Sequence, residues 1–280
     1  MKMYKKVMAA ALAGVMTVSM SATAFAADDD GYILKATNED SKSSDNDLVI
    51  AIEGSVSSMD PANIPDTNAI SATRGVYETL VSFDENQELT GKLAESWEVS
   101  DDSLTYTFKL RQGVKFQDGT DFNAAAVKAN YDRVVNKDNN LRQRRTFIVT
   151  NEDGSETPRV DSIETPDDYT LVIKLTQAWA PFINRLTQFC IISPAALEEY
   201  GNDIMNHPCG TGPYVCTEWE EGDHTSFKRN DDYWGDKPGV DTVTIKEVPE
   251  AGARTAVLQT GEASILHRLT RLKQSKEQTM

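Results

Sequence analysis

Metal and disulfide chemistry have little to work with in this chain. Three cysteines and three histidines occur in 280 residues, and three cysteines are too few for a disulfide framework. His207, His224 and His267 are scattered along the sequence, a pattern that fits surface residues better than ligands or a general base. The short catalytic signatures G-x-S-x-G, H-E-x-x-H and C-x-x-C are all absent. Positive charge is also short. Against 44 acidic residues stand 28 Lys and Arg, for a formal charge of -16, which repels phosphate backbones and anionic lipid headgroups and excludes nucleic acid as the natural partner. Nor is there a long hydrophobic run. The apolar stretch at 7–18 falls well short of the ~20 residues that span a bilayer.

What the N-terminus does contain is an export pattern. Lys2, Lys5 and Lys6 precede that short apolar stretch, and Ala24-Phe25-Ala26 closes it, so residues 1–26 read as a secretory signal peptide cleaved after Ala26. No cysteine precedes Cys190, which leaves no lipidation site near the expected cleavage point. Residues 27–47 are Asp-, Ser- and Asn-rich and predict a flexible acidic leader, because such a segment buries too little to offset its ordering entropy.

The rest of the chain is organised around residues 93–122. Leu104, Tyr106, Phe108 and Leu110 alternate there with Thr105, Thr107 and Lys109, the period-two pattern of a strand with one face on a core. Asp101-Asp102 supplies the preceding turn. Apolar strands are expected at 48–52, 81–83, 169–175, 189–192, 224–229 and 240–248, and one following Gly210-Thr211-Gly212-Pro213-Tyr214. Helices are expected after Asp66 or Thr67, from Asn123 to about 135, after Pro181, at 195–200 and at 251–259. Residues 137–157 read as a polar, exposed excursion. Strands and helices without regular alternation predict an α+β or mixed α/β fold.

Several segments carry more than pattern. Residues 115–133, KFQDGTDFNAAAVKANYDR, followed in order by Ile192-Ser193-Pro194-Ala195-Ala196-Leu197, His207-Pro208, 210–214, 230–234 and 258–263, resemble the extracellular solute-binding proteins of family 5. These serve ABC importers of peptides or nickel, and the likeness is tightest to the family's glutathione-binding members. The resemblance covers 48–263. It implies a periplasmic binding protein-like fold of type II, in the peptide-binding class. Residues 48–76 and 188–263 would form a first lobe and 77–187 an inserted lobe, with one large lobe of the family missing. From 264 to 280 the composition turns basic and the likeness stops, which predicts a break near Ser264, by frameshift or truncation; a natural amphipathic tail with Ile265, Leu266, Leu269 and Leu272 at helical spacing is the alternative. With one wall of the cleft absent, weak ligand binding or none is expected.

The resemblance also implies a ligand-binding segment, Asn63, Ile64, Pro65, Asp66 and Thr67, although the same residues would equally serve as an ordinary surface loop that caps a helix. Arg74, Arg185 and Arg254 are candidates to meet a ligand carboxylate, and the sequence does not choose among them. Trp97, Trp219 and Trp234 read as core. Cys209 and Cys216 would bridge only if Gly210–Gly212 turned sharply, and Cys190 reads as buried core. The implied function is capture of glutathione or a small di- or oligopeptide outside the cytoplasmic membrane by a monomer that docks on an ABC permease, with no cofactor, no metal and no catalysis. A secreted hydrolase and a non-functional fragment are the alternatives.

Overall fold

The computed structural model describes residues 46–266. The expected signal peptide, nearly all of the leader and most of the tail lie outside the described residues. None of the described helices is long and apolar enough to cross a membrane.

Two sheets dominate, and each draws on a different part of the chain. The larger has five strands in the order Tyr214–Glu220, His224–Arg229, Thr242–Glu247, Asp47–Ile52 and Ile265–Leu266. Asp47–Ile52 runs parallel to both of its neighbours, while the pairings on the far side are antiparallel. The helix Ala251–Gln259 makes the crossover that a parallel pair requires. Ile265–Leu266 thus joins the sheet, although these residues belong to the stretch set apart by composition.

The second sheet is antiparallel, in the order Ala94–Val99, Thr105–Leu110, Thr170–Leu175, Val160–Asp167. The alternation read from the sequence is visible in its burial. Tyr106, Phe108 and Leu110 face the core, and Lys109 faces solvent. Asp102 accepts from the Leu104 N–H at 3.0 Å, and Ser103 takes a positive φ of 58° in the turn between the strands. Helix Ala124–Val135 packs over this sheet with Val127 and Val134 buried. Its first turn is capped by Asn123, whose side chain accepts from the Ala126 N–H at 2.9 Å. Between the sheets, Glu78–Thr79 pairs antiparallel with Cys190–Ile191, so two chain crossings run side by side.

Two expectations are corrected. Residues 137–157 are not a free excursion. Leu141 and Phe147 are buried in the core, Ile148–Thr150 pairs with Glu156–Pro158, and Arg144 grips Glu156 through two bonds of 2.7 and 2.8 Å. Two apolar anchors in a polar stretch suffice to dock it. The strand Val160–Asp167 was not expected at all. It is an edge strand, mostly exposed and containing Pro166, so it carries no alternating apolar signal. The three cysteines are free; Cys209 and Cys216 do not bridge.

Candidate functional site

The segment that follows the first strand is held from several sides. Asp60 caps the short 3-10 turn Pro61–Asn63 by accepting from the Ala62 N–H at 3.0 Å. Proline at the first helical position needs no donor there. The same carboxylate takes both guanidinium nitrogens of Arg133, at 3.2 and 2.7 Å, and the two side chains are only 7% and 10% exposed. Helix Ala124–Val135 thereby clamps the turn through a bidentate, desolvated pair. Asp66 then caps helix Thr67–Thr73, accepting from the Ala69 N–H at 2.9 Å and from the Ser57 hydroxyl.

These bonds sort the five expected ligand residues. Asn63, Pro65 and Thr67 are exposed, with nothing covering them. Ile64 is half-buried against the core, and the Asp66 carboxylate is occupied by its cap and by Ser57. Both caps are formed, and the Asn63, Pro65 and Thr67 side chains remain open to solvent. Ile70, on the same helix, is an exposed large apolar residue.

From the other side, the Gln143 N–H donates to the Ala62 carbonyl at 3.0 Å, and the Gln143 side chain donates to the Gln188 carbonyl at 2.7 Å. The run Leu141-Arg142-Gln143-Arg144-Arg145 is thus fastened beside Asn63. Its signal, a basic run in an acidic chain, was present in the sequence but was absorbed into the supposed polar excursion.

A second cluster fixes the crossing strands. Glu78 is buried, with its side chain 3% exposed, and accepts from Tyr233 Oη at 2.7 Å, Trp234 Nε1 at 2.7 Å and Thr211 Oγ1 at 2.8 Å, with Lys92 Nζ at 3.0 Å. Arg111 lies over the Trp234 ring at 4.7 Å, and burial together with the Glu78 charge raises the Tyr233 hydroxyl far above its usual range. Trp219 donates to the Val56 carbonyl, so it and Trp234 are structural, as their position suggested. Gly210 and Gly212 are required by close approach. A Cβ would lie 2.2 Å from the Val76 carbonyl oxygen at Gly210, and 2.5 Å from that of Gly75 at Gly212. The segment is a backbone-to-backbone junction and no phosphate cradle.

Next to it, Asp118 accepts from the hydroxyls of Ser193 and Thr120. Burial pulls its carboxyl upward, but these hydrogen bonds outweigh burial and hold it below the usual carboxylate range. Burial, reinforced by the Asp118 charge, pushes the Cys209 thiol up to about 12, and burial pushes Cys190 likewise up to about 12. Neither thiol is a nucleophile at neutral pH.

The arginine candidates separate cleanly. Arg254 is buried, donates to the Val248 and Pro249 carbonyls and pairs with Glu53; it holds its own helix and is removed as a ligand contact. Arg74 and Arg185 are exposed. One group among the described residues, Glu220, Asp223 and His224, brings three potential metal-ligand atoms within 4.8 Å of one another, on the hairpin turn between two strands. The His224 ring is already bonded to Asp223 and Glu218.

Comparison with known proteins adds relatives to this geometry. The sequence profile described as "Bacterial extracellular solute-binding proteins, family 5 Middle" matches residues 88–279. The glutathione-binding protein GsiB of Salmonella typhi is 41% identical over 220 residues, covering 78% of this chain and 41% of its own. Among solved structures, the periplasmic binding protein DppA of Helicobacter pylori in complex with the peptide STSA is 32% identical with a TM-score of 0.66, covering 78% of this chain and 45% of that one. The oligopeptide-binding protein AppA of Bacillus subtilis in complex with a nonapeptide is 28% identical with a TM-score of 0.68, covering 78% and 43%. The chain therefore spans less than half the length of these relatives, and the matched span takes in residues 264–279, within the stretch where composition changes.

Proposed function

Because this chain belongs to the family 5 extracellular solute-binding proteins, we propose that it captures a small peptide outside the cytoplasmic membrane and presents it to an ABC permease. Glutathione is the first choice of ligand, favoured by the likeness to a glutathione-binding protein; di- and oligopeptides come second, favoured by the peptide complexes of the structural relatives. The ligand meets Asn63, Ile64, Pro65, Asp66 and Thr67. Asn63, Pro65 and Thr67 offer side chains, and Ile64 and Asp66 shape the backbone between them. Residues 48–76 and 188–263 act as one lobe and 77–187 as the inserted lobe. The protein works as an exported monomer, cleaved after Ala26.

The single observation that carries this reading is the turn between the Asp60 and Asp66 caps, with Asn63, Pro65 and the adjoining Thr67 exposed, inside a fold shared with a peptide-bound relative. Such pre-organisation lowers the ordering cost of binding. Catalysis has no counterpart support. The relatives are solute-binding proteins, and the buried thiols at Cys190 and Cys209 are held protonated.

Amide NMR of the full chain, titrated with glutathione and then with di- to pentapeptides, tests the proposal and detects weak as well as tight binding. The expected result is a saturable shift of the Asn63, Ile64, Asp66 and Thr67 signals with the ligand unaltered. Signals that stay still for every peptide overturn it, as does accumulation of a cleaved product.

A further inference from the structure

In a chain so rich in acid, arginines should find partners, and six of the ten described do. Arg111, Arg133, Arg144, Arg229 and Arg254 each meet a carboxylate, and the Arg159 guanidinium lies 4.2 Å above the Trp179 ring. Four arginines break the pattern. Arg74, Arg142, Arg145 and Arg185 are all exposed, and none has a carboxylate partner among the described residues.

These four are not scattered. Arg142 and Arg145 flank Gln143, which donates its N–H to the Ala62 carbonyl and its side chain to the Gln188 carbonyl. Arg185 ends the helix Phe182–Arg185, which runs directly into the turn Leu186–Gln188. Arg74 ends helix Thr67–Thr73, and its charge is felt at the Cys190 thiol, two residues past Gln188. Arg142, Arg145 and Arg185 thus lie on the segments that meet at the junction of Ala62, Gln143 and Gln188, and Arg74 closes the helix that follows the turn bearing Asn63. The carboxylates of the adjoining segments cannot neutralise them. Asp60 is committed to Arg133, Asp66 to Ser57 and its helix cap, and Glu78 to Lys92, Thr211, Tyr233 and Trp234. Like charges gathered without counter-charge repel one another, and an anion placed among them relieves that repulsion. The guanidinium fork favours a carboxylate in particular, through two parallel N–H bonds.

We propose that Arg142 and Arg145, supported by Arg74 and Arg185, form a carboxylate-binding rim beside Asn63 that selects peptides carrying more than one carboxylate. The peptide-capture reading supplies the ligand class, so this inference rests on it and deepens it. A molecule with two carboxylates, such as glutathione, meets the rim with one and leaves the other for the rest of the site. A peptide amidated or esterified at its carboxylates loses that contact. The rim also draws anionic ligands to an otherwise repulsive, acidic surface, and salt screens this attraction.

The test is side-chain NMR of the arginine Nε–H signals in the full chain, assigned by single Arg→Lys variants. Glutathione, glutathione diethyl ester and succinate are the three probes, run on the unaltered protein and on an R142Q/R145Q variant whose amide spectrum shows the same fold. Glutathione and succinate should shift the Arg142 and Arg145 signals while the diester does not, and R142Q/R145Q should weaken glutathione by about tenfold or more. If glutathione binds the Asn63–Thr67 segment but the arginine signals stay still and R142Q/R145Q binds equally well, the rim is wrong and the capture reading stands. If succinate moves the arginines and the variant abolishes this, but glutathione binds no better than succinate, the rim stands and the peptide reading falls. If no probe moves any signal, both fall.

Discussion

Replacing Glu78 with glutamine tests whether the crossing between the sheets is held by one buried carboxylate. The substitution preserves shape and removes one acceptor. In the native arrangement one carboxylate oxygen faces the Tyr233 hydroxyl and the Lys92 ammonium, and the other faces the Thr211 hydroxyl and the Trp234 indole N–H. The two hydroxyls can rotate and become acceptors, but the ammonium and the indole cannot. Whichever way the amide turns, its NH2 group therefore confronts one obligate donor. The expected cost is about 3 kcal/mol, the loss of a charge-assisted bond plus one stranded donor. For a fold of this size that lowers Tm by about 6–12 °C. Calorimetry of Glu78→Gln, Tyr233→Phe and the double variant reads it directly. Tyr233→Phe deletes one donor and should cost about 1.5 kcal/mol, and the double variant should fall short of the sum, because both changes act on one network. A Glu78→Gln loss below about 1 kcal/mol, within the range of an ordinary neutral hydrogen bond, refutes the argument.

Three further outcomes are expected. Arg133→Met leaves the Asp60 carboxylate buried without its counter-charge and should cost about 3–5 kcal/mol in urea unfolding; Asp60→Asn with Arg133→Met should recover part of this. Gly210→Ala drives a Cβ to 2.2 Å from a backbone oxygen that cannot swing aside, so circular dichroism should show loss of folded protein, whereas Gly154→Ala, in open space at positive φ, should cost only local strain. At the surface, His224 is raised above its ordinary value of 6.5, first by its bond to Asp223 and then by Glu218. Its contribution to stability is present in full below that value and is lost as pH rises through the folded one. Proton NMR should show it titrating high, and Asp223→Asn should bring it back down.

Local features of this fold were legible because their causes are local. The alternation from Leu104 to Leu110, the Asn123 cap and the helix start at Asp66–Thr67 each depend on residues within one turn or strand, and each appears where pattern placed it. Features built across the chain were not. Glu78 gathers donors from positions 92, 211, 233 and 234, and Asp60 meets Arg133 seventy-three residues away; a charged residue destined for burial looks in sequence like any surface acid. The edge strand Val160–Asp167 failed for the opposite reason, since it buries too little to show a period. At the candidate site, resemblance suggested residues 63–67, but only the structure showed that Arg254 is spent on its own helix and that the segment bearing Arg142 and Arg145 is tied to Ala62.

The long-range bonds also decide what can move. Three independent ties cross from the four-stranded side to the five-stranded side: Arg133 on Asp60, Lys92 within the Glu78 cluster, and Gln117, whose side chain donates to the Gly212 and Tyr214 carbonyls. The Arg133–Asp60 pair is buried, and opening it would strand a charge at a cost of about 3–5 kcal/mol, while Lys92 reaches the buried Glu78 from a half-buried position. Ligand contacts at the rim would have to repay that sum before the two sheets could separate, and a small peptide makes too few of them. The two sheets therefore act as one body during binding. Asn63 and the segment bearing Arg142 and Arg145 come from opposite sides of this junction and are expected to keep one spacing on binding. A fixed spacing between a carboxylate-binding rim and an open polar segment measures ligand length as well as charge, so selectivity should fall off for peptides whose carboxylate sits one residue too near or too far.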